Sequence, residues 1–233
     1  MRARLPFRRR RRPDPEHYPA GPLRELASAA PPGDATAVAQ VEFLALDVET
    51  TGLDPRVDHL LSMGWVPVVG REVVLAHACE LRIRPPGEVD VGSSANIHRL
   101  TDDLVSDADP LSDVLPRLLD ALHGRVLLAH HAPIELGFLA EATLAAYGAR
   151  PPVTAVDTMA LQHRLLADRH GEVGGSLRLD AARRTFGLPR YSAHHALTDA
   201  IAAGELLLAQ VAELERRLGR RVVLGDLSPT RSG

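Results

Sequence analysis

The stretch Phe43-Leu44-Ala45-Leu46-Asp47-Val48-Glu49-Thr50-Thr51-Gly52-Leu53 is an apolar run that ends in two carboxylates and a glycine-containing turn. Side chains at i and i+2 of a strand point to the same face. Asp47 and Glu49 therefore project together from the end of a segment fit only for burial. Two adjacent anions in such a place are costly unless a cation neutralises them. Oxygen donors alone suit a hard divalent ion such as Mg2+ or Mn2+. An isolated Asp-x-Glu is also met as a strand end that is merely acidic, so the rest of the chain must decide.

Two further segments carry acids at comparable places. In Ser192-Ala193-His194-His195-Ala196-Leu197-Thr198-Asp199-Ala200 a long amphipathic helix begins, with Leu197, Ile201, Leu208, Val211 and Leu218 at helical spacing. Asp199 falls in its first turn and His194 on the incoming loop. A carboxylate there is also favoured by the helix dipole alone, and the histidine alone reads as an ordinary loop residue. In Val126-Leu127-Leu128-Ala129-His130-His131-Ala132-Pro133-Ile134-Glu135 an apolar strand runs through a short turn into a helix opened by Pro133. Glu135 sits in the first turn of that helix, where the bland reading is a solvated acid complementing the dipole.

Three acidic segments and one histidine, each at a strand end or helix start, resemble the DEDD superfamily of exonucleases. The branch is DEDDh, the DnaQ-like type, whose last motif is His-x-x-x-x-Asp, here His194 to Asp199. Its members include proofreading subunits and domains of DNA polymerases, such as those of the polymerase III epsilon type, and stand-alone exonucleases. The resemblance runs from about Val41 to Leu218. It includes Asn96-Ile97-His98-Arg99-Leu100-Thr101, similar to a His-x-Ile-Thr stretch, and Val156-Asp157-Thr158, similar to an Asp-Thr stretch. One motif departs from the pattern. His-Asn-x-x-Phe-Asp is usual, whereas this chain has His130-His131-Ala132-Pro133-Ile134-Glu135, so a longer carboxylate stands in the third acidic position.

The resemblance implies an α/β, ribonuclease-H-like mixed β-sheet flanked by helices. It implies a metal-dependent 3′–5′ exonuclease that removes nucleoside 5′-monophosphates from the 3′ end of single-stranded nucleic acid, with DNA favoured over RNA and roles in proofreading and DNA repair. Two Mg2+ or Mn2+ ions would be held by Asp47, Glu49, Asp199 and Glu135. In that scheme Asp47 bridges the ions, Glu49 and Asp199 complete their shells, Glu135 acts mostly through water, and His194 is the general base. Thr50, Thr51, Gly52, Leu53 and His130 would bind substrate, and His98 and Asp157 would support the fold. For Leu53 the alternative is core packing. Expected partners are single-stranded DNA or RNA 3′ ends and a DNA polymerase subunit. Two other classes stay open: a catalytically weakened module that binds nucleic acid or a polymerase, and a hydrolase of nucleotides or small phosphoesters. A zinc site built on His130, His131 and His195 is disfavoured by oxygen-donor neighbours and the lack of an accompanying Cys.

Bulk composition narrows the class. With 233 residues, 45% apolar and 24% charged, the chain can hold one ordinary domain. The single Cys79 excludes an internal disulfide and suits a reducing compartment. No apolar run approaches the ~20 residues of a membrane span, so a cytoplasmic location without membrane partners is expected. All 27 basic residues are Arg. Residues 1–39 hold eight of them against four acids, so the overall charge of −3 leaves −7 for the remainder. The domain is therefore not a basic clamp, although bound cations and a few local arginines suffice to face phosphates.

Residues 1–39, rich in Arg, Pro and Ala, lack sustained apolar periodicity and read as a disordered tail. Its Arg8–Arg12 run reads as a solvated cationic tail or a non-specific nucleic-acid tether. Residues 40–219 read as the exonuclease domain and 220–233 as a C-terminal extension, frayed from Gly225 onward. Within the domain, strands are expected at 42–49, 61–69, 72–83, 125–129 and 153–156, and helices at 111–122, 133–147, 157–167, 176–186 and 196–218. Gly70 makes the turn of a hairpin, and Gly171 to Gly175 read as a flexible connection.

Overall fold

The apolar run that opens Phe43–Thr50, buried on both faces, builds β1, the central strand of an eight-stranded mixed sheet. The structure is a computed structural model that describes residues 14–86, 108–170, 177–192 and 194–232. The Arg8–Arg12 run, His98 with its motif, and the Gly171–Gly175 connection lie outside the described residues. The other strands are β2 (Leu60–Val69), β3 (Glu72–Val73), β4 (Cys79–Arg84), β5 (Asp109–Pro110), β6 (Val126–Ala129), β7 (Thr154–Asp157) and β8 (Thr230–Arg231). Their order is β5-β4-β2-β1-β6-β7-β8, with β3 also paired to β2. β1 runs antiparallel to β2 and parallel to β6, and β6 is parallel to β7. Helices cover both faces. They are α1 (Pro22–Ser28), α2 (Leu111–Leu122), α3 (Pro133–Tyr147), α4 (Thr158–His170), α5 (Leu179–Arg184) and α6 (Ala196–Leu218). This is the ribonuclease-H-like arrangement expected.

The period of two sorts the residues of β1 between two cores. Leu44 and Leu46 pack with Leu115, Leu118 and Phe138 on the face covered by α2 and α3. Phe43 and Ala45 pack with Leu161, Ala200, Leu207 and Val211 on the face covered by α4 and α6. Continuing the alternation, Asp47 and Glu49 fall on the α6 face. The helix that carries Asp199 is thus the one laid over the strand that carries the first two acids.

Three expectations are corrected. The tail is packed rather than disordered from Asp14 onward: α1 buries Leu23, Leu26 and Ala27 in the core beside α2, with Tyr18 alongside. Only three apolar anchors on seven residues do this, too few for a visible helical period. The chain end is likewise fixed. Val222, Leu224 and Leu227 are buried, β8 pairs antiparallel with β7, and Leu224 N–H donates to the Thr36 carbonyl at 2.9 Å. Lastly, the segment expected as one strand over 72–83 is split into β3 and β4 by a 3-10 turn at Leu75–His77. The cause lies in Pro67. Its carbonyl accepts from Val74 N–H at 2.9 Å, so the side of β2 where a proline has no N–H faces this outer neighbour. The ladder breaks there and resumes at Trp65↔Cys79.

Candidate active site

The sheet and α6 bring three acids to one point. Oxygen atoms of Asp47, Glu49 and Asp199 lie within 4.8 Å of one another. Glycine makes that approach possible. Gly64 is the register partner of Asp47, and a Cβ added there would stand 2.1 Å from the Leu197 amide nitrogen in the first turn of α6. Farther along, Gly204 faces Val68 and Ala45, letting the helix lie flat on the sheet. Asp199 follows Leu197 by two residues and so lands above Asp47.

Glu135 reaches the same centre from α3 on the other face. It is only 4% exposed, and its Oε2 has no hydrogen-bond partner. A solvated acid at a helix start is therefore excluded. Burial first, and then repulsion from Glu135, Asp199 and Glu49, holds the Asp47 carboxyl well above its ordinary range. Burial, with Asp199 and Glu80 nearby, raises Glu49 to about 7. Burial raises Glu135 to about 8, with Asp157 adding to it. Asp199 is also raised by burial, although the His194 backbone and ring offset part of this. Three carboxylates crowded around that of Asp47, one of them with an unpartnered buried oxygen, complete an all-oxygen donor set that fits hard divalent cations.

This charge crowding has a consequence for stability. Glu49 and Glu135 titrate near 7 and 8 in the folded chain but near 4.5 when unfolded, so between those values the native state holds the extra protons. Stability of the cation-free protein then falls as pH rises through that window. The half-buried His130 ring, whose pKa is lowered by desolvation, acts oppositely, but only below about pH 6.5 where an unfolded histidine is charged. In EDTA the melting temperature is expected to fall by several degrees between pH 6.5 and 8.5, and Mn2+ to restore more at the higher pH. Thermal melts at the two pH values check this; a melting point in EDTA that rises across the interval contradicts it.

His194 stands exposed at the mouth of the cluster with φ of 68°, a left-handed backbone unusual outside glycine. Its N–H donates to Asp199 Oδ2 at 3.0 Å, which holds the loop over the carboxylates. The adjoining His195 ring points elsewhere, toward Glu80 Oε1 at 3.2 Å. His131 also adopts a positive φ, 85°, and its N–H donates to Asp157 Oδ1 at 3.0 Å. That oxygen accepts from Met159 N–H as well, at 2.8 Å, so Asp157 pins the start of α4 and supports the fold. His130 is tied at both nitrogens: Nε2–H donates to the Leu177 carbonyl at 2.8 Å, and Nδ1 meets Thr158 Oγ1 at 2.8 Å.

The loop after β1 is self-bonded. Thr50 Oγ1 donates to the Gly52 carbonyl at 2.6 Å, Thr51 N–H donates to the His59 carbonyl at 2.9 Å, and Thr51 Oγ1 meets Asp58 at 3.2 Å. A side chain on Gly52 would collide with the Asp58 carboxylate. Pro55 rests on Gly137 of α3, coupling this loop to the helix of Glu135. Leu53 is 76% exposed, which removes core packing as its role.

Sequence reasoning missed the far wall of the site. A groove of about 660 Å3 joins His194, Asp199 and His130 to Arg178, Arg184 and Arg190 on and around α5, with Tyr191 at its edge. Its signal is the concentration of four arginines between 178 and 190. Gly64 inside an otherwise apolar strand is a second overlooked sign, of close backbone approach.

Comparison with known proteins agrees with this geometry. A family model described as exonuclease, RNase T, matches residues 44–207. A DNA polymerase III PolC-type protein of Thermotoga maritima is 31% identical over 84% of this chain, which spans 13% of that protein. A DNA polymerase III subunit epsilon-like protein of Rhodobacter capsulatus is 28% identical over 91% of this chain and 31% of its own length. In structure the chain is similar to E. coli exonuclease I in a complex with single-stranded DNA, with a TM-score of 0.65, 15% identity, and coverage of 77% of this chain and 42% of that one. The chain thus spans less than half the length of each of these relatives. Among the described residues no helix is long and apolar enough to cross a membrane. With the motifs, the fold and the carboxylate cluster in agreement, the chain belongs to the DEDDh-type, DnaQ-like exonuclease family.

Proposed function

We propose that this exonuclease-family chain is a metal-dependent 3′–5′ exonuclease acting on single-stranded nucleic acid, DNA in preference to RNA, and releasing nucleoside 5′-monophosphates. The observation that carries the reading is the convergence of Asp47, Glu49 and Asp199, with Glu135 near enough to repel Asp47, beside a solvent-open groove lined by Asp199 and His194. Two Mg2+ or Mn2+ ions held by those four carboxylates would supply water activation and stabilisation of the leaving oxygen.

The chain's own residues do the rest. His194, exposed and beside Asp199, accepts a proton from the attacking water on its ring. The backbone bond from His194 to Asp199 keeps this residue beside that carboxylate. Leu53 presses on the terminal base from the β1–β2 loop, and the rigid Thr50-Thr51-Gly52 turn fixes where it does so. His130, locked between Thr158 and Leu177, shapes the floor on which the terminal nucleotide rests. The relatives support the substrate: they are named as polymerase III proteins, and the structural neighbour is an exonuclease complexed with single-stranded DNA. An association with a polymerase belongs to the same reading, as does a part in proofreading.

Digestion of a 5′-labelled single strand tests the proposal. The expected result is a ladder shortening one nucleotide at a time from the 3′ end, abolished by EDTA; endonucleolytic fragments or chelator-resistant cleavage would falsify it. His194→Ala is expected to lower the rate by about 10²–10⁴-fold, the range for a general base. Near-normal turnover by the variant removes His194 from the mechanism.

A further inference from the structure

Among the Phe, Trp and Tyr side chains of the described residues, Tyr191 is the one that is substantially exposed, at 40%. It borders the groove three residues before His194, on the same wall as Arg178, Arg184 and Arg190. Its neighbours are built to hold the ring in place. The Arg183 guanidinium lies over the ring, 4.6 Å from its centroid, and the hydroxyl donates to Glu205 Oε1 at 2.9 Å. Arg183 is buried and itself anchored, donating to the Ala202 and Pro189 carbonyls and to Glu205 Oε2 at 2.7–2.9 Å. An aromatic ring clamped by a buried arginine and its half-buried glutamate partner, yet still open to the groove, has no need of that exposure for folding.

We propose that Tyr191 is a stacking platform for a nucleobase of the single strand upstream of the terminal nucleotide. The chemistry is that of a flat π face with one side already covered by a cation, which leaves the other for a base. Every base offers such a face, so the contact is indifferent to sequence. The arginines on the same wall are placed for the phosphates that flank the stacked base. The inference rests on the exonuclease reading and adds a binding residue outside the motifs. Arg183 and Glu205 serve it as positioning residues, since they touch the ring rather than the strand.

The experiment uses the full chain in EDTA and short single strands carrying 2-aminopurine at successive positions from the 3′ end. Stacking quenches that fluorophore, so wild-type protein is expected to quench it at one internal position. Tyr191→Phe should retain the quenching. Tyr191→Ala should abolish it and weaken binding by roughly 5- to 100-fold, the range for one lost base stack. With Mg2+ or Mn2+, the loss should appear in KM with kcat nearly unchanged. An abasic nucleotide at the quenched position should raise the wild-type KM to that of Tyr191→Ala and leave the variant's KM unaltered. Absence of quenching by wild-type protein, or equal losses by the variant on intact and abasic strands, overturns the proposal. If wild-type protein quenches but does not hydrolyse, the exonuclease reading falls and the stacking site stands.

Discussion

Asp47→Asn is expected to lose hydrolysis by about 10³-fold or more, the upper range for removing one preorganised electrostatic contact, and yet to melt higher than the parent in chelator. Both effects have one cause. Asp47 lies at the centre of the acid cluster, where burial and repulsion from Glu135, Asp199 and Glu49 already oppose its charge. An amide of the same shape removes that opposition and the stability loss that comes with it. It also removes the carboxylate placed among the others. A residue that supports only the fold would behave oppositely, since its replacement would lower the melting point. Steady-state rates and thermal melts of the same preparation decide between the two.

Gly64→Val is expected to be nearly as damaging to activity without touching a single acid. The first β-carbon alone would sit 2.1 Å from the Leu197 nitrogen, and the obstacle is helix backbone, which has no rotamer to change. The start of α6 must move off the sheet, carrying Asp199 away from Asp47. Overpacking of this kind costs about 1–3 kcal/mol in stability. The loss of turnover should far exceed what that destabilisation predicts, on the order of 10²-fold or more. Gly64→Ala, with the same collision from fewer atoms, should show a smaller version of both effects. Wild-type activity in Gly64→Val would mean that the distance between α6 and β2 does not set the acid cluster.

The residues proposed to carry chemistry are the ones most legible in the sequence. Asp47 with Glu49, and His194 with Asp199, sit at junctions where a strand ends or a helix begins. Such junctions announce themselves locally through apolar runs, a glycine turn and the first periodic residues of a helix. Helices α2, α3 and α6 begin and end where that reasoning puts them. What escapes is whatever depends on a distant partner. Leu23 and Leu26 look like stray apolar residues in an Arg- and Pro-rich leader until α2 lies beside them. Likewise Leu227 and Thr230 look frayed until Leu227 is buried and β8 pairs with β7. The break between β3 and β4 was available in Pro67, but only once β2 is known to have neighbours on both sides. Glu135 is a mixed case. Its motif was recognisable despite the longer side chain, whereas its burial follows from α3 closing over the sheet.

If the four acids form one cation site, bound metal relieves their repulsion. Calorimetric titration of Mn2+ into the protein at pH 7, repeated in buffers of different ionisation enthalpy, tests it most directly. Without metal at that pH, Glu135, titrating near 8, is largely protonated and Glu49, near 7, about half so. Binding should therefore release protons to the buffer, and the Asp47→Asn variant should bind Mn2+ far more weakly. Equal affinity in the parent and the variant, or binding that releases no protons, contradicts the account.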